Sequence, residues 1–192
     1  MESIEAEAEK TLSEYYRASK KEMIEGPIPV SDVIKAAFDV STKELNFAKE
    51  GIAGSDGEAL YGCLYPNGFR GLDRVVLVNI GQISGHQLSR ADRRVTIAHE
   101  AGHYALHFGN KKSKQLFFRF SKGPTYCRKE EISPEKFNLK EDQANLFGAC
   151  LLMPRKQFQI EWRKGSGDRS RLARHFDVTE SIVQLRAEML DL

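Results

Sequence analysis

The 192 residues fit one domain, with room for a small appendage at either end. Hydrophobic residues at 41% and charged residues at 29% are those of a soluble globular chain, and a net charge of +2 gives no reason to expect nucleic-acid binding. Cys63, Cys127 and Cys150 are odd in number and form no CxxC pair, which argues against a disulfide framework and against a cysteine-based zinc site.

The amino-terminal stretch MESIEAEAEK is acidic and lacks the apolar core of a signal peptide. No apolar run approaches the ~20 residues of a membrane span. A cytoplasmic protein with reduced thiols and no membrane partner is the expectation. Residues 1–24 read as a solvent-facing or frayed helix, since Ile4 and Leu12 are the only large apolar residues before Tyr15. Gly26-Pro27-Ile28-Pro29 breaks the chain, and Ser31 is placed to cap a short helix through Phe38. Strands are expected at Glu44–Lys49, Glu58–Tyr65 and Arg74–Asn79, separated by turn-forming residues at 51–57 and 66–68. In the third of them Val76 and Val78 alternate with Val75 and Leu77, so both faces should be buried. The result is a small, mostly antiparallel sheet.

Ser89-Arg90-Ala91-Asp92 has the form of a capping box opening a helix that runs to about His107. Gln115–Phe120 could add a strand. Residues 111–140 hold nine Lys/Arg against three Glu, a surplus that reads as a solvated loop rather than a binding patch. From Leu139 to Met153 the pattern is helical, and beyond Ala144 it is apolar on nearly every side except at Asn145, the mark of a buried helix. Met153-Pro154 ends it, and two or three short helices complete the chain. The division expected is a helical extension at 1–25, a core at 26–155 and a helical segment at 156–192 packed on that core. The fold class is α+β, mainly helical, with a C-terminal helix pair.

His99-Glu100-Ala101-Gly102-His103 carries the chemistry. Residues four apart share a helix face, so both imidazoles can reach one metal ion at ~2.0–2.1 Å. Glu100 stands beside them, placed to take a proton from a water that the ion acidifies. Val95, Ile97, Ala98, Ala101, Ala105 and Leu106 make this helix mostly apolar, and two histidines and a glutamate buried there are costly without a partner. Gly102 costs about 1 kcal/mol relative to alanine in a helix, which a close neighbour over that position would explain. His107 lies two turns from His99, about 12 Å along a straight helix, too far to share the ion. It is better suited to supporting the ligands or capping the helix end. The third ligand should come from the buried helix near Leu139, where Glu141 and Asp142 both stand; periodicity does not choose between them.

Residues 94–107, Arg94 through His107, resemble the metal helix of the ImmA/IrrE family of metallopeptidases. Residues 141–154, Glu141 through Pro154, are similar to that family's E-x-x-A-N-x-F-x-A-x-L-L-M-P helix. The resemblance extends more weakly over residues 26–190. It implies a zincin-like, gluzincin-type arrangement with Zn2+ held by His99, His103 and Glu141, and with Glu100 as catalytic base. It also implies a protein substrate, a helix-turn-helix repressor or a similar regulator. Tyr104, His107 and Tyr126 are candidate donors to the oxyanion. Gly148, where the family often has alanine, and the long basic loop at 110–138 are departures that bear on substrate choice. An alternative is a non-catalytic module that captures a repressor or antitoxin, with metal structural or absent. Residues 172–186 have helix-turn-helix character, yet Glu180 and Ser181 open the second helix with a poor phosphate-facing surface. Packing through Leu172, Phe176, Val178, Ile182 and Leu185 is therefore preferred over direct DNA contact.

Overall fold

The computed structural model describes residues 2–20, 26–53, 60–108 and 134–192. Its helices are α1 (Glu2–Ser19), α2 (Val30–Phe38), α3 (Phe47–Glu50), α4 (Arg90–His103), α5 (Pro134–Leu152), α6 (Arg155–Lys164), α7 (Arg169–Phe176) and α8 (Glu180–Met189). Its strands are β1 (Ser41–Leu45), β2 (Gly62–Tyr65), β3 (Val75–Asn79) and a two-residue hairpin, β4 (Gln82–Ile83) and β5 (His86–Gln87). The expected strand at Gln115–Phe120, residues 111–133 of the basic stretch, Tyr126 and Cys127 lie outside the described residues, while residues 134–140 of that stretch open α5 and are not loop. Among the described residues no helix is long and apolar enough to cross a membrane.

The three main strands are ordered β1-β3-β2. β2 runs antiparallel to β3, from Gly62 opposite Val78 to Tyr65 opposite Val75. β1 runs parallel to it, from Ser41 opposite Val75 to Leu45 opposite Asn79. The sheet is thus mixed. All five residues of β3 are buried, as its sequence requires. Val76 and Val78 join Leu64 in the main core, while Val75 and Leu77 join Phe47, Leu60 and Cys63 in a smaller one on the other face. The strand expected at Glu44–Lys49 lies earlier, at Ser41–Leu45. The Asn46 side chain accepts from the Lys49 amide at 3.2 Å and turns the chain into α3, which buries Phe47.

α4 is buried from Arg94 to His103 and lies between the sheet and α5. Its capping box is complete: Ser89 Oγ accepts from the Asp92 amide at 3.1 Å, and Asp92 Oδ2 accepts from the Ser89 amide at 2.9 Å. The α-helical pattern ends at His103 and widens into a π-helical turn, Tyr104–Phe108. The cap of α2 differs from expectation. Pro29 holds the N-cap position without a side-chain bond, and the Ser31 hydroxyl accepts from Thr42 Oγ1 at 3.2 Å.

α1 is not solvent-facing. Ile4, Ala8, Leu12 and Tyr15 recur at helical spacing on one side and are buried against α2 and α5. At the other end of the chain, Leu172, Phe176, Val178 and Ile182 are buried and Leu185 is packed against the same core. Arg94 Nε donates to the Asp177 carbonyl at 2.9 Å and so ties α4 to the junction of α7 and α8. Thr179 occupies the N-cap of α8 without a capping bond, its hydroxyl pairing instead with that of Ser181 at 2.9 Å.

Candidate metal centre

His99 and His103 stand one turn apart on α4, their ring centroids 4.6 Å apart and nearly perpendicular. Glu141 reaches them from α5: its Oε2 is 3.3 Å from His99 Nε2 and its Oε1 3.2 Å from His103 Nε2. One ligand atom from each of the three residues falls within 4.8 Å of the others. Tetrahedral coordination at ~2.0–2.1 Å separates ligand atoms by about 3.3 Å, so the two measured spacings fit such an ion. Two imidazole nitrogens and a carboxylate oxygen are also a donor set suited to zinc and related divalent metals.

Burial works against a charged Glu141, yet the hydrogen bonds and charges of His103 and His99 prevail and pull its pKa down to about 2. Burial also lowers the pKa of His103, against the pull of Glu141. Asp142, the other acidic candidate, is exposed and lies outside the cluster. Because α5 begins at Pro134 and not near Leu139, Glu141 sits two turns inside the helix. The attraction of the helix N-terminus therefore does not explain an acid there.

Glu100 is fully buried beside this cluster, and no side chain among the described residues hydrogen-bonds either of its carboxylate oxygens. Burial raises its pKa well above the usual carboxylate range and the charge of Glu141 raises it further, with a lesser opposing pull from the Leu64 backbone amide. A buried carboxylate of this kind is costly unless a cation compensates it. His107 does not join the cluster, as its distance along the helix indicates; its ring lies 5.7 Å from that of His103. The Tyr104 hydroxyl accepts from Arg74 Nη1 at 3.2 Å and its ring packs on Phe38, which anchors it toward α2 and the start of β3.

Two glycines set the spacing of these elements. A Cβ at Gly102 would lie 2.9 Å from both the Cα and the carbonyl oxygen of Ala144 on α5. The closeness of α4 to α5 that brings Glu141 onto the histidines thus depends on Gly102. A Cβ at Gly62 would meet Thr96 Cγ2 at 2.5 Å, so β2 likewise lies tight against α4, near Glu100. Gly102→Ala should lower both the denaturation midpoint and the affinity for metal. Overpacking costs roughly 1–3 kcal/mol, against about 1 kcal/mol contributed by alanine as the better helix former. Unchanged stability and unchanged affinity would mean that the two helices can separate without disturbing the cluster.

One residue of the site has no counterpart in the sequence-based assignments. Asn145, one turn beyond Glu141, places Oδ1 2.8 Å from His99 Nδ1. Its signal in the sequence is a lone polar residue within an apolar run.

A His-Glu-x-x-His helix crossed by a buried helix that delivers a glutamate to both histidines defines a metallopeptidase-type α+β fold. Residues 82–188 match the family model Peptidase M78, the IrrE N-terminal-like domain. The chain belongs to this family, the ImmA/IrrE metallopeptidases. A Mycobacterium tuberculosis transcriptional regulator of known structure shares the fold with a TM-score of 0.59 and 16% sequence identity. The match covers 95% of this chain and 46% of that protein, so this chain spans somewhat less than half of its length. No curated protein sequence matches the chain at a significant level.

Proposed function

We propose that the protein is a zinc-dependent endopeptidase that cleaves a helix-turn-helix repressor or a similar regulatory protein in the cytoplasm. The observation that carries this reading is the convergence of His99, His103 and Glu141 within 4.8 Å, next to a buried Glu100. In this reading His99, His103 and Glu141 hold the ion. Zinc bound there supplies a water with a pKa near ~7 and polarises a carbonyl. Glu100 takes the proton of the attacking water and passes it to the leaving amine. Support for a regulator as substrate comes from the family, and from the fold shared with a protein described as a transcriptional regulator.

The direct test is incubation of the purified protein with zinc and candidate helix-turn-helix regulators, followed by mass spectrometry of fragments. A discrete cleavage that chelation stops and zinc restores is expected. Glu141→Ala should lower zinc content and abolish that cleavage. Binding of the regulator with no metal uptake and no fragments would favour the alternative, a non-catalytic capture module.

A further inference from the structure

We infer that Asn145 is a positioning residue, whose amide oxygen fixes His99 in the one tautomer that leaves Nε2 free to bind a metal ion. This rests on reading the cluster as a zinc site. The residues of one turn of α5 grip both ring nitrogens of one imidazole: Asn145 Oδ1 lies 2.8 Å from Nδ1, and Glu141 Oε2 lies 3.3 Å from Nε2. A neutral imidazole carries one proton, and the two positions compete for it. Alone, Glu141 would draw that proton to Nε2, where it would occupy the lone pair that a metal needs. Asn145 offers an acceptor at Nδ1, so that when an ion takes Nε2 the ring's one proton has a partner on the far side of the ring.

The chemical identity of the acceptor matters as well as its position. An amide oxygen accepts a hydrogen bond without adding charge, so two histidines and one glutamate give a ligand set with a single negative charge. A carboxylate at 145 would keep the acceptor and make His99 a more basic ligand. A side chain of the same size without an acceptor would keep the packing and lose the orientation. Asn145 is half-buried and its neighbours Ala144 and Phe147 are fully buried against α4, so its backbone is held whatever the side chain does.

The experiment compares wild type, Asn145→Leu and Asn145→Asp. It measures zinc affinity by chelator competition and the His99 Hδ1 resonance of the zinc-loaded protein by NMR. Asn145→Leu should bind zinc ~10–100-fold more weakly. Its Hδ1 signal, protected from solvent exchange in the wild type, should disappear. Asn145→Asp should retain both the affinity and the signal. Circular dichroism establishes that each variant is folded. Should Asn145→Leu fail to fold, an Asp variant with weakened affinity, or a wild-type Hδ1 that exchanges freely, would overturn the assignment. Equal affinity and an equally protected Hδ1 in Asn145→Leu would overturn it too, leaving the zinc site intact. A wild type that takes up no zinc would overturn the reading on which it rests.

Discussion

Glu100→Gln should retain a full complement of zinc and lose cleavage by a factor of about 10²–10⁴, the usual contribution of a positioned general base. Glutamine has nearly the same shape as glutamate, and position 100 is fully buried, so the packing of α4 against the sheet should be preserved. What changes is the capacity to hold a proton. The cluster that could hold the ion is His99, His103 and Glu141, and Glu100 is not part of it. Metal content and catalysis are therefore expected to separate in this variant. In the metal-free protein its carboxyl has no side-chain hydrogen-bond partner among the described residues and faces the charge of Glu141. A neutral amide at position 100 avoids placing a second buried charge beside Glu141 and should leave the apo-protein at least as stable as wild type, as judged by thermal melting. Cleavage at the wild-type rate would exclude Glu100 as the base. Loss of zinc together with activity would place it among the ligands instead.

The parts of this site legible in the sequence were the local ones. His99, Glu100 and His103 are set by the geometry of a single helix, and an i, i+4 pair needs no tertiary information. Gly102 pointed to a close neighbour, and that neighbour is Ala144. The third acidic residue was harder. α5 is apolar on nearly every side beyond Ala144, so no stripe identifies the face that meets α4. Its start at Pro134, earlier than expected, also made Glu141 look like an acid of the first turn. The resemblance singled out Glu141, and the structure brings that residue, not Asp142, to the histidines. Asn145 stood out as a polar residue, but its partner lies on another helix. The hydrophobic alternation of β3 was clear, whereas the parallel pairing of β1 depends on where the chain re-enters the sheet, and residue alternation does not encode that. α1 was misread because its buried stripe includes a small residue, Ala8, and an amphipathic one, Tyr15. Its ionic partner is near the opposite end of the chain.

That partner, Arg186, makes the second large effect. Its side chain is fully buried on α8, with Nη1 2.7 Å from Glu5 Oε2 and Nη2 2.5 Å from Glu5 Oε1 on α1. Nε donates to the Met153 carbonyl at 2.9 Å, and Nη1 also contacts Cys150 Sγ at 3.2 Å. One guanidinium thus joins α1, the end of α5 and α8. Glu5→Gln would leave the cation buried without its counter-charge and should cost roughly 3–5 kcal/mol. Burial pushes the Glu5 pKa up, but the hydrogen bonds and charge of Arg186 outweigh it, and the folded value lies below the ordinary 4.5. A carboxyl with a depressed folded pKa contributes its full stability above the unfolded value and loses it as pH falls through the folded one. Urea titrations should show that contribution intact above pH 4.5 and declining below it in the wild type, with Glu5→Gln lacking this part of the acid dependence. Replacing both partners by apolar residues, Glu5→Leu with Arg186→Met, should recover much of the loss, because neither charge is then stranded. If Glu5→Gln matched the wild type in stability at neutral pH, the pair would contribute nothing to docking α1. The double variant would then offer no gain over either single one.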